Sequence, residues 1–196
     1  MGPVATRAPM VWNVANVLTL LRFAFVPFVV VAVLADDGGG GWRWAAAGVF
    51  VLAALTDRFD GYLARRLGQV TDWGKLVDPI ADKALVGASL VTLSAVGDLP
   101  WWVTVVVLAR ELGVTALRFA VLRYVVIPAS PGGKLKTVLQ TVAIALFLLP
   151  LPTLPSFVGV VAWVVLVAAV VLTVVTGVDY LRRGLAVRAA ASHGPA

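Results

Sequence analysis

Four aspartates stand close together at spacings that suit metal chemistry. Asp57 and Asp60 are three residues apart, and Asp78 and Asp82 are four apart, within the stretch TDRFDGYLARRLGQVTDWGKLVDPIADK at 56–83. On helices, both spacings put the two carboxylates on one face. The first pair ends one apolar run and the second begins the next, with a short polar link at 65–72 between them. Such a link predicts antiparallel neighbouring helices whose acidic ends converge. Four converging anions repel one another, so something positive must neutralise them. Hard divalent cations with oxygen ligands suit this role, either Mg²⁺ or Mn²⁺. Two ions sharing four carboxylates is an arrangement used in phosphoryl chemistry. The competing reading is a solvated link in which the acids pair with Arg58, Arg65, Arg66 and Lys83. That reading suits any one acid but not all four at helical spacing. Gly61, Ala64 and Gly74 share these faces. Small side chains there either let a ligand approach the backbone or serve helix packing.

The elements that must position these acids are apolar. Of the 196 residues, 61% are hydrophobic; only 16 are Lys or Arg and 10 are Asp or Glu. Soluble domains run near 25% charged residues, so a water-soluble globule is excluded, as is disorder, which needs low hydrophobicity. There is no cysteine, so disulfides, thiolate catalysis and Cys-ligated metals are impossible. The single His193 lies in the polar tail, which excludes a His-ligated metal and a Ser–His–Asp triad. The net charge of +6 reads as an orientation signal of a membrane protein and not as a nucleic-acid surface.

Six apolar runs are predicted as transmembrane helices of a single domain over residues 1–196, at about 17–35, 42–64, 73–96, 101–122, 133–150 and 156–180. The first reads as a retained span and not a cleaved signal peptide. Asp36-Asp37 followed by Gly38–Gly41 separates the first two runs, and Gly97-Asp98-Leu99-Pro100 separates the third and fourth. From Thr137 to Val178 no residue is charged. A continuous helix of that length would be roughly 60 Å, about twice the hydrocarbon thickness, so the chain must turn back at Pro150, Pro152 and Pro155.

Six spans put both termini on one side. That side collects Arg7, Arg65, Arg66, Lys75, Arg118, Arg123, Lys134, Lys136, Arg182, Arg183 and Arg188, against Arg43 alone on the other. The positive-inside rule places the termini and the acidic pairs at the cytoplasmic face of a multi-pass cell-membrane protein, with a polar cavity at that side. Arg22, Arg58, Lys83 and Arg110 fall within the runs, where charges are costly and face a cavity or a partner. Six of the seven Trp fall near run ends and read as interface anchors.

The acidic stretch resembles the signature of the CDP-alcohol phosphatidyltransferases, D-x2-D-G-x2-A-R-x8-G-x3-D-x3-D. Asp57, Asp60, Gly61, Ala64, Arg65, Gly74, Asp78 and Asp82 match all eight positions. The resemblance implies a six-helix membrane enzyme, often a homodimer, that moves a phosphatidyl group from CDP-diacylglycerol to an alcohol and releases CMP. It implies that Asp57, Asp60 and Asp78 bind two metal ions. Asp82 would be the general base and also touch a metal. Gly61, Ala64, Arg65 and Gly74 would line the CDP part, with Thr71 in the link as a further candidate. Four more stretches, NVANVLTLLRFAFVPF at 13–28, VTDWGKLVDPIADK at 70–83, ARELGVTALR at 109–118 and GGKLKTVLQT at 132–141, resemble the members whose acceptor is glycerol 3-phosphate. Ala15 stands where these enzymes often carry proline, which bears on the helix start and not on the chemistry. The last run and the tail add nothing specific.

A glycerol 3-phosphate acceptor is a dianion and needs cations. Arg110 and Arg118 are eight apart, so they share a helix face two turns apart. Lys134 and Lys136 open the fifth run, where a helix N-terminus also favours phosphate. Arg22 and Thr19 can reach the same pocket from the first run. Alternatively, these cations only flank the spans, and Arg110 only pairs with Glu111. Within the same chemistry the acceptor can instead be inositol phosphate, serine or phosphatidylglycerol (a cardiolipin synthase). Two other classes fit less well. A membrane prenyltransferase needs a second Asp-rich motif, and after Asp82 only Asp98, Glu111 and Asp179 remain. A small ion-coupled transporter would be expected to show paired broken helices or an internal repeat.

Overall fold

The computed structural model describes the backbone over 14–67, 72–121 and 131–192, and side chains over 20–56, 80–81, 83–117 and 132–186. Among the described residues the chain is all helical. The helices are α1 (Val14–Leu34), α2 (Gly41–Leu67), α3 (Asp72–Ala95), α4 (Trp101–Val121), α5 (Pro131–Leu148) and α6 (Ser156–Ser192), with a 3-10 turn at Leu151–Thr153.

The turns form where the sequence breaks the apolar runs. Gly97 takes φ +86° just after α3. There the Asp98 amide donates to the Leu93 carbonyl at 2.9 Å and the Gly97 amide to Ser94 at 3.2 Å. This is a Schellman-type cap, which favours glycine at the left-handed position. Between α1 and α2, Gly40 takes φ +76° and is buried; a Cβ there would lie 2.8 Å from Pro150 Cβ. The α1–α2 loop therefore packs against the α5–α6 turn. Arg43 of α2 pairs with Asp98 of the α3–α4 loop. All three of these loops thus gather at one end of the bundle. The exposed Trp42, Trp44, Trp101 and Trp102 sit at the helix starts of that same end. The acidic pairs lie toward the other end, near the C-terminus of α2 and in α3.

α1 packs along both α2 and α3, and α5 along α6; α6 also meets α4, and α5 also meets α2 and α3. The short link predicts α2 and α3 as direct neighbours. Among the described residues they do touch, yet each has its larger contact with α1. The buried Ala32 of α1 and Ala46, Ala47 and Ala53 of α2 explain part of this, because small residues let helices approach closely. The core continues through Phe50, Leu90, Leu93, Val103, Ile144 and Leu148. Phe147 and Trp163 meet edge to face at 5.3 Å, tying α5 to α6.

Polarity runs partly inside out. Ser89, Thr92, Ser94, Thr104 and Thr173 are buried, while Phe157, Val160, Val164, Val167, Val171 and Val175 of α6 are exposed. The buried hydroxyls find partners inside the bundle: Ser89 donates to Leu85 O at 2.8 Å, Thr173 to Ala169 O at 2.6 Å, and Ser94 and Thr104 share a bond of 2.7 Å. α6 is long and apolar enough to cross a membrane over Ser156–Ala186, and only 28% of its most apolar window is buried. The core helix of a soluble protein would be mostly covered. α6 does not stop near residue 180 as expected but continues to Ser192. Gly184 and Leu185 follow Arg182 and Arg183 without a helix-breaking pair, and Arg183 pairs with Asp179 at 3.0 Å one turn back.

Candidate active site

Three cations gather about one carboxylate on α4. Glu111 Oε1 accepts from Lys136 Nζ of α5 and from Arg110 Nη1 at 3.0 Å. Lys83 of α3 donates to the Thr115 hydroxyl and reaches the Glu111 carbonyl at 3.4 Å. The Thr115 hydroxyl in turn donates to that carbonyl at 2.7 Å. Arg110 Nη2 donates to Thr176 Oγ1 of α6 at 3.1 Å. One polar layer therefore joins α3, α4, α5 and α6. Lys136 is only 3% exposed, and a charge so buried needs a partner of opposite sign. Glu111 supplies it.

Two cavities adjoin this layer. A small one of about 80 Å³ is lined by Lys83, Glu111, Lys136, Thr137, Gln140 and Thr141. Gln140 is buried, and its Oε1 has no hydrogen-bond partner among the described residues. A larger one of about 330 Å³ lies between α4 and α6, with Arg110 on a wall otherwise made of Val114, Leu117, Val174 and Val178. The buried Arg110 Nε has no hydrogen-bond partner among the described residues.

The sequence candidates divide sharply. Arg110 and Lys136 come together through Glu111. Lys134 is exposed on the first turn of α5 and forms no ion pair among the described residues. Arg22 is 1% exposed on α1. Thr19 and Arg118 lie on α1 and α4, with side chains outside the described residues. Asp57, Asp60, Gly61, Ala64 and Arg65 lie on α2, and Gly74, Asp78 and Asp82 on α3; their side chains also lie outside the described residues, as does Thr71 altogether. Among the described side chains there is no group of three metal-ligating residues. The acidic donor set itself, four carboxylates with no sulfur or imidazole, is of the kind that takes Mg²⁺ or Mn²⁺. Asp82 directly precedes Lys83 on α3, so the helix that carries it also supplies one cation of the layer.

Sequence reasoning missed Thr115, Gln140, Thr176 and Gly177. For the α6 pair a signal exists: Thr176-Gly177 is a small polar step inside a helix built mainly of Val, Leu and Ala.

Comparison with known proteins identifies the family. Residues 12–175 match the model of the CDP-alcohol phosphatidyltransferase family. A probable phosphatidylglycerophosphate synthase of Mycobacterium tuberculosis (strain H37Rv) is 55% identical over 187 residues, covering 94% of this chain and 87% of the relative. A CDP-diacylglycerol–glycerol-3-phosphate 3-phosphatidyltransferase of Bacillus subtilis (strain 168) is 36% identical over 188 residues, covering 88% and 95%. One of the same description from Rickettsia bellii is 37% identical over 172 residues, covering 87% and 94%. With most of the chain, residues 12–175, matching the family model, and with relatives this similar over nearly their whole length, the chain belongs to the CDP-alcohol phosphatidyltransferase family.

Proposed function

We propose that this enzyme transfers the phosphatidyl group of CDP-diacylglycerol to sn-glycerol 3-phosphate, giving phosphatidylglycerophosphate and CMP. Family membership supports the reaction class, and the activities for which the relatives are named support the acceptor. The observation that carries the reading is the layer about Glu111. Arg110, Lys136 and Lys83 bring three cations together where a phosphate dianion can be held, and Lys83 lies on the helix that also carries Asp78 and Asp82.

The acceptor hydroxyl oxygen attacks the phosphorus on the diacylglycerol side of the pyrophosphate, and the bond from that phosphorus to the CMP oxygen breaks. Asp82 takes the hydroxyl proton as general base. Asp57, Asp60, Asp78 and Asp82 would hold two divalent ions, Mg²⁺ or Mn²⁺, which when bound offset charge on the phosphates. Gly61, Ala64, Arg65, Gly74 and Thr71 line the nucleotide. Arg110, Lys136, Arg118, Lys134, Arg22 and Thr19 hold the acceptor phosphate. The six α-helices serve as the spans of one multi-pass domain, with termini and acidic ends at the cytoplasmic face, and two copies form a homodimer. The lipid substrate accounts for such a fold: its acyl chains stay in hydrocarbon while its pyrophosphate reaches water.

The test is CMP release from CDP-diacylglycerol with glycerol 3-phosphate, inositol phosphate, phosphatidylglycerol and serine offered separately. Turnover is expected with glycerol 3-phosphate. Asp82→Asn is expected to lower it by about a thousandfold, within the range for general-base removal, while the protein still inserts. Turnover with another acceptor alone would replace the acceptor assignment. Full activity of Asp82→Asn would remove that residue from the base role.

A further inference from the structure

Arg110 does not stand in its layer by α4 alone. Its Nη1 is held by Glu111 and its Nη2 by Thr176 of α6. The Thr176 hydroxyl has one proton, and it donates that proton to the Leu172 carbonyl at 2.6 Å. Its lone pairs are therefore left facing the guanidinium. The next residue, Gly177, lies under the arginine stem: a Cβ there would meet Arg110 Cγ at 3.0 Å. Two turns along, a Cβ at Gly184 would meet Leu117 Cδ2 at 2.8 Å. Gly177 and Gly184 thus receive Arg110 and Leu117, two pairs with the same seven-residue spacing, which sets the register of α4 on α6. Thr176 also touches α5. A Cβ at Gly132 would lie 3.2 Å from Thr176 Cγ2, so glycine at the start of α5 lets that helix, which carries Lys136, close onto the same point.

We infer that Thr176 and Gly177 of α6 are positioning residues for the acceptor site: they seat Arg110 so that it faces the incoming phosphate in a fixed pose beside Lys136. This rests on the reading that Arg110 holds the acceptor phosphate. Both residues lie just beyond the stretch 12–175 matched by the family model. The seat acts through Arg110 and touches no reacting atom. Its loss should weaken acceptor binding and spare the chemistry.

The experiment measures steady-state CMP release for wild type, Thr176→Val, Thr176→Ser, Gly177→Ala and Gly184→Ala. Thr176→Val keeps the shape and removes the acceptor of the Arg110 bond. It is expected to raise KM for glycerol 3-phosphate roughly tenfold, as for loss of a hydrogen bond to a charged group. The kcat and the KM for CDP-diacylglycerol are expected to stay within about twofold. Thr176→Ser restores the hydroxyl and should return KM close to wild type. Gly177→Ala should raise the acceptor KM severalfold. Gly184→Ala disturbs the same helix contact away from Arg110 and should leave the acceptor KM unchanged. In an Arg110→Ala background, Thr176→Val should add nothing. An unchanged KM in Thr176→Val overturns the inference. So does an equal rise in Gly184→Ala, a fall in kcat with both KM values that serine does not rescue, or a further additive loss in the Arg110→Ala background. If wild type releases no CMP with any acceptor, the functional reading fails and the inference falls with it. If wild type turns over and Thr176→Val behaves like it, only the seat fails.

Discussion

Two regions of the bundle handle charge differently. At the loop end Arg43 pairs with Asp98 beside a cavity that Asp36 also lines. The Gly97 cap and the close approach of Gly40 to Pro150 then hold three loops together. Midway along α3 and α4, Glu111 faces Lys136, Arg110 and Lys83 from three helices. Like charges held in a low-dielectric setting repel, so such a cluster suits an anion. On the proposed reading it takes the acceptor phosphate, while the loop end holds the helix starts in place.

This contrast can be broken or sharpened experimentally. The largest effect is expected from chelation. Removing divalent ions should lower CMP release by about a thousandfold or more, since bound metal contributes several kcal/mol to phosphoryl transfer. Adding back Mg²⁺ or Mn²⁺ should restore it, and a chelated enzyme that kept its rate would refute the two-ion reading of the four aspartates. Next comes Glu111→Gln. Removing the charge that faces Arg110 and the buried Lys136 should cost on the order of 3 kcal/mol of stability, seen as a lower melting midpoint in detergent. The KM for the acceptor should rise about tenfold. A rise in KM for CDP-diacylglycerol alone would place the cluster on the wrong substrate. The smallest effect belongs to Arg43→Ala at the loop end. Its partly exposed pair should contribute about 1 kcal/mol or less, with no change in either KM. A shift in the acceptor KM there would abolish the division between the two regions.

Much of the fold is legible in local chemistry. Gly97 and Asp98 followed by Pro100 announce the end of α3, because a glycine able to take the left-handed cap with a proline shortly after it is a local stop signal. The prolines at 150, 152 and 155 announce the turn between α5 and α6, since no other break interrupts that uncharged stretch. The end of α6 is not legible, because Arg182 and Arg183 are as compatible with a continuing helix as with a tail. The pairing of Arg110 with Glu111 is visible as a neighbouring ion pair. Lys83 and Lys136 joining it from two other helices is not, since nothing in their local sequence names a partner on α4.

By itself the sequence determined the membrane class, the six apolar runs and the eight-residue acidic signature, because each depends on residue type and spacing along one chain. The tertiary structure decided which cations share a carboxylate. It also decided that α1 packs along both α2 and α3, and that a threonine and a glycine on the last helix meet an arginine of the fourth. Those outcomes depend on which helix faces meet across the bundle. Helix periodicity defines a face but leaves open what packs against it.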